Sequence, residues 1–206
     1  MAGAVASPPA HLVLRESTRA AHEAAEETAG MRRLLAGELD AEGYAALLEA
    51  QWQLFGAWER SRGDWLSGLA GWGYVSRARS LEADLAVARP IADIVGDALH
   101  GGDGVARADT PATLAPHPND AAHWGELYVV EGSALGGRVI VRRLRELYPH
   151  LPHHFYAVGE DAPSRWRRFQ GLLDAALAGD DARATAVDAA RAMFARFQRT
   201  LQDPAA

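Results

Sequence analysis

Apolar residues recur every three or four positions along most of the chain, which is the spacing that an amphipathic α-helix produces. No stretch of useful length shows the alternation of a strand. We therefore predict an all-α fold, a single-domain multi-helical bundle of six to eight helices. The predicted helices span residues 11–28, 41–62, 76–88, 91–99, 120–148, 163–178 and 183–202. The last helix is expected to point these residues inward: Ala186, Ala189, Ala190, Met193, Phe194 and Phe197.

Capping and breaking residues mark the ends of these helices. Asp40 is a predicted N-cap for the helix at 41–62, and Pro90 is expected to interrupt the chain between two helices. Segments rich in glycine, proline or tryptophan predict loops at 63–74, 100–118 and 150–162. We expect a disordered tail at 1–10, one domain at 11–202 and a short tail at 203–206.

Three glycines lie inside the helix predicted at 120–148, although each interior glycine costs a helix about 1 kcal/mol relative to alanine. Gly132 and Gly136 are four residues apart and share one face, which Gly137 borders. Bare backbone on that face allows another helix or a flat ligand to come close. The glycines alone leave close packing, a kink and ligand binding open.

A stripe on the first helix places His22 four residues before Glu26. A lone helical histidine is usually structural, but imidazole also binds iron, copper and zinc. Glu26 is spaced to orient the imidazole, and Arg15 and Arg19 add positive charge for a carboxylate. Together with the glycine helix, these residues describe a haem sandwich, with an axial imidazole on one side and bare backbone on the other.

Composition narrows the function further. The 206 residues suit one domain, and the absence of cysteine excludes disulfides, zinc–thiolate sites and a thiol nucleophile. The net charge of −6 argues against nucleic-acid binding. No apolar run reaches the roughly 20 residues of a membrane span, and the first ten residues lack a secretory signal, so we expect a cytoplasmic protein.

Two stretches make the pattern specific. Residues 14–48 contain Leu-Arg-Glu-Ser-Thr-Arg-Ala-Ala-His-Glu-Ala-Ala-Glu-Glu-Thr, then Met31-Arg32 and Glu42-Gly43-Tyr44, and they resemble the proximal region of haem oxygenases. The run Tyr-Val-Val-Glu-Gly-Ser-Ala-Leu-Gly-Gly-Arg-Val-Ile at 128–140 is similar to their distal helix in its bacterial form. The closing helix at 186–201 also resembles the last core helix of that family, so the likeness covers nearly the whole domain.

The resemblance implies an enzyme that uses haem b as both cofactor and substrate. Haem oxygenases cleave haem at a meso carbon to biliverdin, carbon monoxide and ferrous iron, using O2 and electrons from a reductant. A ferredoxin or a flavin/NADPH reductase is the expected donor, and a monomer is the expected state. Seven of the 21 arginines fall between residues 138 and 168, which is typical of a solvated face or of a docking surface for an acidic donor.

The resemblance also implies roles for individual residues. His22 would be the proximal iron ligand, with Glu26 behind it. Gly132 and Gly136 would be the distal-helix glycines that let backbone approach the haem. The remaining expected contacts to the cofactor are Arg15 for a propionate, Tyr128 as a hydrogen-bond donor, Gly137, and Arg167 or Arg168 as a further basic partner.

Ser133 departs from one form of the family pattern. Some haem oxygenases have an aspartate there that organises water near bound oxygen, and a hydroxyl lacks the charge of a carboxylate. A non-catalytic haem-binding protein for storage, delivery or sensing therefore stays open as an alternative. Haem-free relatives of the fold are less well supported, because the thiaminase-like ones use a cysteine and the di-iron ones need carboxylates from four helices.

Overall fold

A computed structural model of the chain describes residues 7–99, 120–158 and 162–202, with the backbone alone at 92–99 and 162–163. Within these ranges the chain forms eight helices and no strand, which confirms the predicted all-α class. No helix described there is long and apolar enough to cross a lipid bilayer. The helices are α1 (Ala10–Glu26), α2 (Ala29–Ala36), α3 (Ala41–Gly68), α4 (Arg77–Leu99), α5 (Asp120–Leu147), α6 (His154–Ala157), α7 (Ala162–Ala176) and α8 (Asp180–Gln202).

Helix α8 lies at the centre of the bundle, where it contacts α1, α2, α3 and α5. Helix α3 pairs with α4, and α5 also contacts α6 and α7. The shared interior contains Phe55 and Trp58 of α3 and Leu127 of α5, each with 0% of its surface exposed. All six residues that the sequence predicts to face inward on α8 are buried.

The α5–α8 crossing depends on small residues. A Cβ atom added at Gly125 would overlap the carbonyl oxygen of Ala186 on α8. Ala186 is itself fully buried. Because glycine allows backbones to approach closely, Gly125 sets how near α5 comes to α8.

Two glutamates on α5 carry negative charge into the interior. Glu126 accepts hydrogen bonds from Nε and Nη2 of Arg62 on α3, at 2.8 and 3.1 Å. Glu131 lies 3.2 Å from Nη2 of Arg77 on α4 and 3.3 Å from Nη2 of Arg165 on α7. Removing one partner of such a buried pair typically costs about 3–5 kcal/mol. These pairs therefore fix α5 against α3, α4 and α7.

Two predicted interruptions are wrong. Helix α3 continues to Gly68 instead of ending at Arg62, because Leu66 on the added turn packs into the core. Helix α4 runs through Pro90, where the sequence predicts a break. Proline removes a backbone donor and frees the carbonyl four residues earlier. Here both Pro90 and Ala86 are exposed, so water can satisfy that carbonyl.

The sequence pattern does not predict α2 and α6. Helix α2 occupies the predicted stop near Gly30, and its Met31 and Leu34 are buried. Helix α6 lies in a segment predicted to be a loop, and Asp84 of α4 accepts the amide N–H of His154 at 2.8 Å. Helices α1 and α8 begin one and three residues earlier than predicted. The predicted loop at 100–118 and most of both predicted tails lie outside the described residues.

Replacing Gly125 by alanine should lower the free energy of unfolding by about 1–3 kcal/mol, because the added methyl group overpacks the α5–α8 crossing. Gly171→Ala on α7 is the matched control, since a Cβ there meets no atom within 4 Å. The control should raise that free energy by up to about 1 kcal/mol through helix propensity. Urea unfolding followed by circular dichroism measures both. Equal stability of the two variants would contradict the packing role of Gly125.

Candidate functional site

A cleft of about 1050 Å³ lies between α1 and α5, and residues of α2, α3, α4, α6, α7 and α8 also line it. Its volume is at the upper end of the roughly 300–1,000 Å³ of typical ligand pockets. The structure brings together eight of the residues that the sequence predicts for the site. They are Arg15, His22, Glu26, Tyr128, Gly132, Ser133, Gly136 and Gly137.

His22 is the imidazole that α1 presents at this cleft. Its side chain is 54% exposed, and its Nδ1 lies 3.7 Å from Oε1 of Glu26. That separation is too long for a direct hydrogen bond but leaves the carboxylate beside the ring. The edge of the ring also packs against Phe194 of α8, with centroids 5.7 Å apart. Phe194 and Glu26 thus limit the orientation of an otherwise accessible imidazole.

The three glycines of α5 have different surroundings. A Cβ at Gly136 would meet no atom within 4 Å, and one at Gly132 would lie 3.6 Å from the indole of Trp166. A Cβ at Gly137 would lie only 2.6 Å from the backbone oxygen of Tyr156. Gly136 therefore leaves open space over the cleft, whereas Gly137 lets α6 pack against α5.

Ser133 is exposed at the cleft, between Gly132 and Gly136 in the sequence. Its hydroxyl donates a hydrogen bond to the carbonyl of Val130, at 2.8 Å. The proton is therefore used within α5, and the oxygen lone pairs remain available as acceptors.

Tyr128 lies one turn before Gly132 and borders the α1 side of the cleft with Arg15. Burial raises the pKa of Tyr128, and the nearby Thr18 hydroxyl and the Arg15 charge act in the opposite direction. The phenol is therefore neutral at physiological pH and can donate a hydrogen bond. Together with the exposed Arg15, it makes this edge suited to a carboxylate.

Helix α7 contributes residues different from those that the sequence predicts. Arg167 and Arg168 are exposed and do not line the cleft. Trp166 and Gln170 line it instead, because residues four apart share a helix face. Sequence reasoning cannot choose this face, since Trp166 stands between arginines at 165, 167 and 168, which lie on different sides of α7.

Much of the apolar lining has no signature in the sequence. These residues come from four helices that only the fold brings together: Met31, Ile140, Phe155, Phe194, Phe197 and Leu201. Gln51 of α3 also reaches the cleft, and its Nε2 donates to the hydroxyl of Tyr156 at 2.9 Å. A single glutamine inside a helix gives no signal that would identify it.

The donor set at the cleft suits a metal that brings other ligands with it. In the described ranges, no three histidine, cysteine or acidic side chains come together to hold a bare ion. His22 offers one nitrogen, and the opposite wall at Gly136 offers open space over backbone. Fold and cleft thus define a class of all-α protein that presents an imidazole on one wall of a large cleft and open helix backbone on another.

Comparison with known proteins agrees with this class. The family model for haem oxygenase matches residues 10–203. A haem oxygenase from Xanthomonas campestris pv. campestris is 39% identical over 175 residues, which cover 83% of this chain and 96% of that protein. The chain therefore belongs to the haem oxygenase family.

Solved structures share the fold at lower sequence identity. A haem oxygenase from Leptospira interrogans has a TM-score of 0.68 and 17% identity, covering 95% of this chain and 100% of that one. The Neisseria meningitidis enzyme has a TM-score of 0.68 and 19% identity, covering 96% and 92%. A Synechocystis haem oxygenase solved in complex with haem has a TM-score of 0.66 and 17% identity, covering 95% and 92%.

The adjacent glycines should respond oppositely to alanine in the ligand-free protein. Gly137→Ala should lower the free energy of unfolding by about 1–3 kcal/mol, since its methyl group meets the α6 backbone. Gly136→Ala should raise it by up to about 1 kcal/mol, because the site is open and alanine favours helix. Thermal and urea unfolding give both values. Similar losses in the two variants would show that Gly136 is also a packing position.

Proposed function

We propose that the chain binds haem in this cleft and degrades it to biliverdin, carbon monoxide and ferrous iron. The observation that carries the proposal is that His22 of α1 and Gly136 of α5 line the same cleft. Membership of the haem oxygenase family supports the activity. Bound haem supplies the iron that activates O2, and its own ring is the substrate.

His22 is proposed to hold the haem iron through one imidazole nitrogen. Glu26 would accept a hydrogen bond from the other nitrogen, directly or through water, and so hold the ring in a productive orientation. A neutral imidazole donates less electron density to iron than a thiolate does.

The opposite wall is proposed to act through its missing side chains. With no Cβ at Gly132 and Gly136, the α5 backbone can approach a flat ligand and confine the space beside its metal. Ser133 presents acceptor lone pairs there, because its proton is bonded to the Val130 carbonyl. A water molecule held by Ser133 would deliver protons where a relative uses aspartate.

The carboxylates of the ligand are proposed to lie at the Arg15 and Tyr128 edge. Arg15 provides positive charge, and Tyr128 provides a neutral donor whose pKa burial raises. Arg167 and Arg168 do not line the cleft, so we propose that they contact a protein partner at the surface instead of the ligand. The carboxylate-bearing edge of the macrocycle would therefore lie beside Arg15 and Tyr128.

Turnover distinguishes the enzyme from a haem carrier. Adding haem, a reductant and oxygen to the chain should bleach the Soret band and produce biliverdin. A stable oxygenated or ferric spectrum, with no biliverdin, would support storage or transport instead. The isomer of biliverdin identifies the meso carbon that the cleft exposes.

His22→Ala should abolish the axial imidazole spectrum and most turnover, while the fold persists because the side chain is exposed. Added imidazole should restore the spectrum by occupying the vacated position. His150→Ala, at an exposed position outside the cleft, is the control and should behave like the wild type. Absorption spectra and circular dichroism measure these effects. An unchanged spectrum in His22→Ala would refute the ligand assignment.

We also propose that an acidic electron donor docks on exposed arginines of α5 and α7. Arg142, Arg143, Arg167 and Arg168 are all exposed there. Within this proposal the protein acts as a monomer, as the resemblance to haem oxygenases implies. We further propose that it acts in the cytoplasm, as expected from the sequence.

Reduction of the haem-loaded chain by a [2Fe–2S] ferredoxin should slow as salt rises. At 0.1 M salt, dissolved ions largely screen the attraction between exposed charges that are more than about 10 Å apart. Arg142→Glu should slow it further at low salt. Arg79→Glu makes the same charge change at an exposed site on α4 and is the control. Reduction by dithionite should be equal in all three proteins. A flat salt response would count against the docking surface.

A further inference from the structure

A continuous series of aromatic rings begins at the cleft. Trp166 of α7 lines the cleft beside Gly132, and its ring centroid lies 5.8 Å from that of Tyr128. On its other side Trp166 stacks on Phe169, with centroids 5.4 Å apart and planes inclined by 28°. Phe169 is fully buried. The series therefore leads from the ligand site directly into the interior.

Beyond Phe169 the series divides into two branches. One branch passes to Trp124 of α5, at 6.1 Å, and on to Trp65 of α3, at 5.6 Å. Both of these indoles are partly exposed. The other branch ends at Trp72, whose centroid lies 5.2 Å from that of Phe169 and which is buried.

We propose that Trp166, Trp124 and Trp65 carry one-electron oxidising equivalents from the cleft to the surface. Indole is among the side chains most easily oxidised by one electron, and ring contacts of this kind give short tunnelling steps. A haem protein that reduces O2 also meets hydrogen peroxide, the oxidant in this proposal. The inference rests on the proposed haem site and adds a protective activity to it.

In each event hydrogen peroxide would accept two electrons and two protons and become two molecules of water. The ring series would supply both electrons, one after the other, through Trp166 at the cleft. For each of them, Trp124 gives an electron to the oxidised Trp166, and Trp65 gives one to Trp124. The oxidised Trp65 releases its indole proton to water and regains one electron and one proton from a thiol in solution. Two thiols are consumed for each peroxide, and they couple to one disulfide.

Charge favours the Trp65 branch over the Trp72 branch. The guanidinium of Arg165 lies 3.9 Å from the centroid of the Trp72 ring. That contact stabilises the neutral indole but opposes a positive charge on it. Arg165 and Arg77 share the single carboxylate of Glu131, so the group keeps a net positive charge. The indole N–H of Trp72 also finds no acceptor among the described residues, so its proton has no exit.

The test treats the haem-loaded full chain with hydrogen peroxide. Electron paramagnetic resonance of frozen samples should show a tryptophan radical, and peptide mass spectrometry should find hydroxytryptophan and kynurenine at Trp65 and Trp124. Trp52 is an internal reference, because it is partly exposed but lies outside the ring series and bonds to Glu82. Haem-free protein with the same peroxide gives the background. Equal oxidation of Trp52 and Trp65 would show a diffusing oxidant and overturn the proposal.

Three variants test whether the oxidation of Trp65 follows the ring series or only reflects the exposure of Trp65 to solvent. Trp124→Phe should reduce oxidation of Trp65 to the haem-free background, whereas Trp72→Phe should leave it unchanged. Trp166→Phe should abolish it as well. If Trp65 is oxidised to the same extent in Trp124→Phe, the proposal is wrong and the rings only pack the core.

Haem loading of each protein is measured first, from the Soret band. A wild-type chain that takes up no haem refutes the proposed function and this inference with it. A chain that binds haem but shows no oxidised Trp65 refutes the inference alone. If Trp166→Phe loses haem, Trp124→Phe decides the question, because Trp124 does not line the cleft.

Discussion

Close approach of helix backbones to α5 is the constraint on which the rest of the structure depends. Gly125 admits α8 and Gly137 admits α6, so two neighbours contact α5 without side chains between them. Buried Glu126 and Glu131 then fix its rotation through arginines on α3, α4 and α7. With α5 held in this way, Gly136 is left to face the cleft, where no atom fills the position of its missing Cβ.

The chemistry of the site follows from this asymmetry between its walls. One wall offers the imidazole of His22, and the other offers little more than backbone at Gly132 and Gly136. In the proposed function, His22 would hold the iron of the ligand, and the open backbone at Gly136 would leave room for O2 on the opposite side. The chain carries a net charge of −6, whereas Arg15 places a positive charge at one edge of the cleft.

Local signals in the sequence predict much of this fold and of its site. Asp40 caps α3 by accepting the amide N–H of Gly43 at 2.8 Å, as expected, because a cap needs only neighbouring residues. The spacing of His22, Glu26 and the glycines likewise places them on one cleft. The features that the sequence does not predict depend on contacts between residues that are far apart in the chain. Asp84 caps α6 from a distant helix, and the contact between Gly137 and Tyr156 exists only once α6 is packed.

A crystal structure of the haem-loaded chain tests the central claim most directly, through the distance between the iron and the nearer imidazole nitrogen of His22. The account predicts a coordination bond of about 2.0–2.1 Å, the usual length for a metal–imidazole bond, with the backbone at Gly132 and Gly136 over the opposite face. Iron bound by another residue, or haem lying outside the α1–α5 cleft, would contradict it.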